Sequence, residues 1–300
     1  MRAYSFYSIP FLSGLILFLS LIAFAINHFI YHFQGNNFFP DDMPVLTSIV
    51  LIVNLGLLVI FGKDSRASNS GIEFLYFFGV MSIIALATNA VQLTPFPTID
   101  KQILSIEEYF HINIPEILTW INNHPNLKNI LGFIYDTLPY QMSIIPLIII
   151  ANGQFDLLKE YYFLLLCTAL IGFVFYYFFP TAAPASIINS PYFSSYQIAT
   201  GLKFNQIHHH MIPTTNEGGL IAFPSFHSIW ALLCVYLLKR WLVPCILLLT
   251  INILLIISCV LLGWHYVSDI LAALIVLAIS CYFLRLYKID HRSTNFSHKS

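Results

Sequence analysis

Charged residues are scarce in this chain. They make up 9% of its 300 residues, whereas hydrophobic residues make up 58%. Soluble domains contain about 25% charged residues on average, so the composition argues against a soluble protein. The formal net charge is −1, and such a balance gives no reason to expect binding to nucleic acid. The five cysteines all fall within apolar stretches, where they are expected to be small apolar residues and not disulfide partners or a metal cage.

Long apolar runs, by contrast, recur along the whole chain. A transmembrane helix needs about 20 predominantly apolar residues. Eight runs approach this length: 9–31, 45–62, 72–93, 129–150, 160–179, 222–238, 243–261 and 265–286. The first lacks a following small-residue cleavage site and is interpreted as a retained anchor. The predicted fold class is all-α: a polytopic membrane protein with about eight transmembrane helices.

Basic residues are distributed unequally between the two faces that alternating spans create. One face receives ten of the 13 Lys and Arg residues, and the other receives three, Lys101, Lys128 and Lys203. Because cytoplasmic loops are enriched in Lys and Arg, both termini are predicted to be cytoplasmic. The segments predicted to face the periplasm, lumen or exterior are 32–44, 94–128, 180–221 and 262–264.

Two of these outward segments are long. In segment 94–128, isoleucines and other apolar residues surround Glu107, Glu108 and Glu116, a pattern that suits amphipathic helices lying at the membrane interface. Segment 180–221 is rich in proline and contains three consecutive histidines, 208–210. Loops of this length usually have a function or are disordered.

The stretch "PSFHS", residues 224–228, opens the sixth run. Ser225 is a good helix N-cap, and His227 would then lie in the first turn, at the outward rim. A helix start presents unpaired N–H groups and the positive end of the helix dipole, which suits an anion such as phosphate. The alternative is that Ser225 only starts a helix and that His227 is an interfacial histidine.

The stretch "GWHYVSDILAA", residues 263–273, opens the eighth run with His265 and Asp269. A spacing of four places both side chains on one helical face. The carboxylate can then accept from one imidazole nitrogen and leave the other free as a nucleophile. The alternative is a local ion pair, or an aspartate that only stabilises a helix start. Alternating spans bring His227 to the same membrane level, and the three side chains together suggest a phosphoryl-transfer site.

These two stretches resemble the second and third signature motifs of the type 2 phosphatidic acid phosphatase superfamily. The stretch "FFPTAAPAS", residues 178–186, resembles the first motif in the form carried by the inositol phosphorylceramide synthase-like branch. The resemblance extends over about residues 95–285 and leaves the first two runs outside. It implies a six-helix core, a lipid phosphate phosphatase or head-group phosphotransferase activity, and no metal or other cofactor. His265 would be the nucleophile that forms a phosphohistidine, Asp269 its partner and His227 the general acid.

The chain departs from the family pattern where the family carries cations. Tyr176 and Ala183 stand where the first motif has a lysine and an arginine, and Cys259 stands where the third motif has an arginine. The phosphate charge must still be neutralised. The candidate substrate-binding residues are Ser225, Lys203, Thr181 and His210. Three adjacent histidines at 208–210 do not suit a single metal ion and are interpreted as a solvated loop that lines the mouth of the site.

The sequence is accordingly divided into three parts. Residues 1–71 form two N-terminal transmembrane helices outside the core, 72–286 form the phosphotransfer core, and 287–300 form a loose polar cytoplasmic tail. The expected partners are a lipid phosphate or phospholipid substrate, an alcohol acceptor in the transferase case, and membrane lipids. One competing function is a proton- or ion-coupled transporter that uses His265, Asp269 and Asp136, and another is a haem protein with His227 and His265 as axial ligands.

Overall fold

The computed structural model describes residues 8–37, 39–215 and 222–297, and helices are the regular secondary structure found in them. Within these ranges the helices are α1 Ser8–Ile26, α2 Met43–Phe61, α3 Arg66–Val91, α4 Asp100–Tyr109, α5 Ile114–Asn122, α6 Pro125–Tyr135, α7 Leu138–Ala151, α8 Phe155–Phe178, α9 Ser195–His208, α10 Phe226–Leu237, α11 Leu242–Leu261 and α12 Val267–Ser297. A π-helical turn, Asn27–Tyr31, extends α1, and a 3-10 turn lies at Pro184–Ser186. The last six residues of the predicted outward segment 180–221 lie outside the described residues. The predicted all-α class is confirmed.

Most of the predicted spans are long helices. In the part of the chain that the structure describes, six helices are long and apolar enough to cross a membrane: α1 with its extension, α2, α3, α8, α11 and α12. α6 and α7, with a bend of 40° between them, pass the same test as a pair and form either a broken span or a re-entrant loop. α10 is apolar but has only 12 residues, a rise of about 18 Å, which is less than the roughly 30 Å of a hydrocarbon core. The chain is a multi-pass membrane protein in which the sixth predicted run is a short helix.

Two polar positions depart from the predicted pattern of spans and tail. Asp136, within the fourth predicted run, is exposed at the break between α6 and α7. Pro139 in the first turn of α7 explains the break, because proline lacks an N–H and disfavours a helical residue before it. The tail after residue 287 is not loose throughout, since α12 continues to Ser297. No glycine or proline follows Gly263 to end that helix.

α10 packs against four helices of the bundle: α7, α8, α11 and α12. Its first residue is held closely by α8. A Cβ atom at Gly172 would lie 2.6 Å from the Phe226 ring and 3.3 Å from Pro224, and the Phe173 and Phe226 rings have their centroids 5.0 Å apart. α8 therefore positions the start of α10, including His227.

The cationic side chains collect at the opposite end of α10. Glu160 on α8 accepts hydrogen bonds from Lys239 at 2.6 Å and from Lys288 at 2.5 Å. Lys239 follows the last residue of α10, whereas Ser225 precedes its first. Lys239 and Lys288 thus lie at the end of α10 away from Ser225, and which end is cytoplasmic stays a prediction.

The N-terminal helices contact the rest of the bundle. α1 packs against α3 and α8, and α2 packs against α3. α3 begins at Arg66, which is before the boundary drawn at residue 72. The division into an N-terminal pair and a six-helix core stays a prediction.

The close approach of α8 and α10 predicts opposite effects for two glycine substitutions. Alanine raises helix propensity equally at Gly172 and at Gly79, but only Gly172 lacks room for a Cβ, since nothing lies within 4 Å of one at Gly79. We expect Gly172→Ala to lower the Tm by roughly 2–6 °C and Gly79→Ala to leave it unchanged or higher, measured by thermal unfolding in detergent. Equal shifts in the two variants would contradict this account of the α8–α10 contact.

Candidate active site

His265 is held by two oxygen acceptors in the turn between α11 and α12. Its Nδ1 lies 3.0 Å from the carbonyl oxygen of Ala222 and 3.1 Å from Oδ2 of Asp269. Both oxygens favour a proton on Nδ1, so Nε2 retains its free electron pair. His265 precedes the span that begins at Val267, and burial lowers its pKa to about 4. The ring is therefore neutral at neutral pH, as a nucleophile requires.

His227 lies beside the free nitrogen of His265. The distance between His265 Nε2 and His227 Nδ1 is 3.5 Å, and the ring centroids are 5.5 Å apart. The His227 ring stacks on Tyr135 with centroids 4.7 Å apart, and Tyr135 stacks on Trp264 at 5.2 Å. This aromatic stack fixes the plane of His227 beside Nε2 of His265.

The start of α10 is tied directly to α11 and α12. Ser225 caps α10, as predicted, because its Oγ accepts from the Ser228 N–H at 3.3 Å. The Ser225 N–H donates to the carbonyl oxygen of Asp269 at 3.1 Å. The Cys259 thiol contacts the hydroxyls of Ser225 and Ser228. Because the Ser225 hydroxyl is engaged in the cap, Ser225 would contribute to substrate binding indirectly, by fixing the helix start whose N–H groups can bind an anion.

A buried carboxylate on α4 joins the first motif to the third. Asp100 Oδ2 accepts from the Ala182 N–H at 2.9 Å, and Oδ1 accepts from the Tyr266 hydroxyl at 3.2 Å. Asp100 is completely buried, and burial raises its pKa to about 6. Asp100 thereby fixes the residue after His265 relative to the loop that follows α8.

A second carboxylate on the same helix holds the start of α12. Glu107 Oε1 accepts from the Ser268 N–H at 2.7 Å and from the Ser268 hydroxyl at 3.0 Å. Burial raises the pKa of Glu107. Sequence reasoning missed the roles of Asp100 and Glu107. One signal was available in the sequence. Asp100 precedes the apolar Ile103 by three residues and Glu107 follows it by four, and these spacings place all three side chains on one, inward-facing side of the helix.

The predicted substrate-binding residues occupy three different places. Thr181 is completely buried beside Ala182, and its Oγ1 has no hydrogen-bond partner among the described residues. Lys203 is completely buried on α9, the helix that packs against the 3-10 turn after Thr181. His210 is exposed after the end of α9, and its ring lies 5.4 Å from that of Phe33. No contact within the described part of the chain joins His210 to His227 or His265.

Of the three consecutive histidines, only the first belongs to a helix. His208 belongs to α9 and stacks between Phe33 and Phe204, at centroid distances of 5.0 and 4.2 Å. His209 is exposed, and its Nδ1 lies 2.8 Å from the carbonyl oxygen of Asn205. The prediction of a solvated loop is wrong for His208 alone, because His209 and His210 lie in the exposed turn after α9. Within the described ranges, no group of three or more His, Cys, Asp or Glu side chains is placed to hold a metal ion.

Comparison with known proteins gives one positive result. A family model described as the PAP2 superfamily matches residues 101–283. This range contains His227, His265 and Asp269, and it excludes α1, α2, α3 and Asp100. No curated protein and no solved structure matches the chain. Such a match supports a phosphatase-type enzyme for lipid phosphoesters. Because the match covers more than half of the chain, the chain belongs to the PAP2 superfamily.

Proposed function

We propose that this protein cleaves a lipid phosphoester through a covalent phosphohistidine on His265. The observation that carries the proposal is the pair of acceptors on Nδ1, which leaves Nε2 unprotonated 3.5 Å from Nδ1 of His227. A nucleophile oriented by a carboxylate and placed beside a second titratable group is the arrangement that covalent catalysis requires. The family match supports the reaction class.

In the first step Nε2 of His265 attacks phosphorus, and the bond from phosphorus to the lipid oxygen breaks. Protonated His227 gives its proton to that oxygen, so that an alcohol leaves. Asp269 stabilises the positive charge that the ring of His265 gains when Nε2 is bonded to phosphorus. In the second step an acceptor O–H attacks phosphorus, its proton passes to His227, and the phosphorus–nitrogen bond breaks. Both histidines return to their initial states.

The phosphate charge would be stabilised mainly by dipoles. The positions at which the family carries cations hold Tyr176, Ala183 and Cys259. We propose that two features contribute instead: the start of α10, and the buried hydroxyl of Thr181, which has no hydrogen-bond partner among the described residues. Lys203 is the remaining candidate for a positive charge.

The scarcity of cations at these positions favours a phosphodiester substrate, which carries less charge than a monoester. We therefore propose head-group transfer, with an alcohol in place of water as acceptor, as the second form of the same reaction. This form agrees with the resemblance of residues 178–186 to the inositol phosphorylceramide synthase-like branch. The site would face the periplasm, lumen or exterior, at the end of the bundle opposite Lys239 and Lys288.

We expect His265→Ala, His227→Ala and Asp269→Ala each to lower turnover at least about 100-fold. The assay presents labelled lipid phosphates and phospholipids with and without inositol or ceramide, and it scores phosphate release and head-group transfer separately. His209→Ala is the matched control, because this histidine is exposed and contacts its own helix. Full turnover by His265→Ala would overturn the proposal.

The burial of Asp100 predicts a pH-dependent stability. Its pKa is 3.8 when unperturbed and about 6 in the folded protein, so between these values only the folded chain retains the proton. Stability therefore falls as pH rises through this window and is constant above it. Asp100→Asn resembles the protonated form and should remove this fall, which amounts to roughly 3 kcal/mol.

The measurement is the difference in unfolding free energy between Asp100→Asn and the unmodified protein, at several pH values from 4 to 7. The control is Asp136→Asn, whose side chain is exposed. A difference that does not change with pH would contradict the account of Asp100.

A further inference from the structure

An apolar groove lies between α1, α3 and α8, outside the site already described. Its cavity volume is about 190 Å³. The residues that mark its two ends and its walls are Ile16 and Ile26 on α1, Ala87 and Val91 on α3, and Phe173 and Phe178 on α8. One wall is therefore built by α1, a helix outside the residues that the family model matches.

The groove has the depth of one membrane leaflet. On α1 it extends from Ile16 to Ile26, a rise of about 15 Å at 1.5 Å per residue. This is half of a hydrocarbon core of about 30 Å. Val91 is the last residue of α3 and Phe178 the last of α8, on the side where α8 leads into Thr181, and Ile26 is followed by the π-helical turn that extends α1. The groove thus lies toward the active-site end of α3 and α8.

The groove also lies next to the active site. Phe173 lines it and packs against Phe226, the residue before His227, with ring centroids 5.0 Å apart. Phe178 lines it and precedes Thr181 by three residues. A hydrocarbon chain in the groove would therefore end close to the first motif and to the start of α10.

The lining accepts hydrocarbon and offers little to a polar group. The Ser20 hydroxyl already donates to the carbonyl oxygen of Ile16 at 2.8 Å, and most of the other lining side chains are apolar. We propose that the groove holds an acyl chain of the lipid whose phosphoester reacts at His265. This inference rests on the proposed function and assigns to α1 a role in selecting the substrate.

The test compares two tryptophan variants at neighbouring positions of α1. Ile22 lines the groove, and its side chain is 39% exposed, whereas Leu21 does not line it and is 62% exposed. We expect Ile22→Trp to lower kcat/KM for dipalmitoyl phosphatidate at least roughly tenfold and to leave dibutanoyl phosphatidate unaffected. Leu21→Trp should change neither value. If Ile22→Trp does not purify as a folded protein, Ile22→Phe takes its place.

A second measurement separates this inference from the proposed function. A long-chain phosphatidate with a photoreactive group in mid-chain is bound to the full-length His265→Ala protein in vesicles, and the labelled peptides are identified by mass spectrometry. We expect labels on α1 and α8, and Ile22→Trp should remove them. Labels spread over all lipid-facing helices, or an unchanged chain-length preference in Ile22→Trp, would overturn the inference. Activity retained by His265→Ala would overturn only the proposed function.

Discussion

The hydrogen bonds of His265 Nδ1 are the constraint on which the rest of the active site depends. Two oxygens, from Ala222 and Asp269, hold this nitrogen, and both are buried in an apolar bundle where an unpaired polar atom is costly. Asp269 also accepts from the Tyr266 N–H at 3.0 Å, so one carboxylate orients the ring and caps α12. The tautomer of His265 is thereby linked to the packing of α12.

The surrounding helices serve to keep this turn in place. α8 fixes the start of α10 through Gly172, and α4 fixes the turn through Asp100. The Cys259 thiol, at the sequence position where the family motif has an arginine, contacts the hydroxyls of Ser225 and Ser228. In the proposed reaction, preorganised dipoles would take the place of such a cation, and dipoles act strongly where water is excluded. This is the physical reason for proposing a substrate of low charge.

Much of the fold and the central part of the site were predictable from the sequence. Apolar runs predict membrane helices because the bilayer fixes their length, and the spacing of His265 and Asp269 predicts their contact because it is local. Asp100 and Glu107 were not recognised, since their partners lie far along the chain and only tertiary packing reveals them. His210 was placed near the site by its outward segment alone, but the turn after α9 places its ring beside Phe33.

The central claim is that His265 becomes covalently bonded to phosphorus during turnover. The most direct test is a single turnover with a lipid labelled in its phosphate, quenched rapidly in alkali and followed by peptide mapping. The account predicts an acid-labile, alkali-stable label on His265 that appears before product and disappears as product forms. Product formation without any labelled protein, or a label on a different residue, would contradict it.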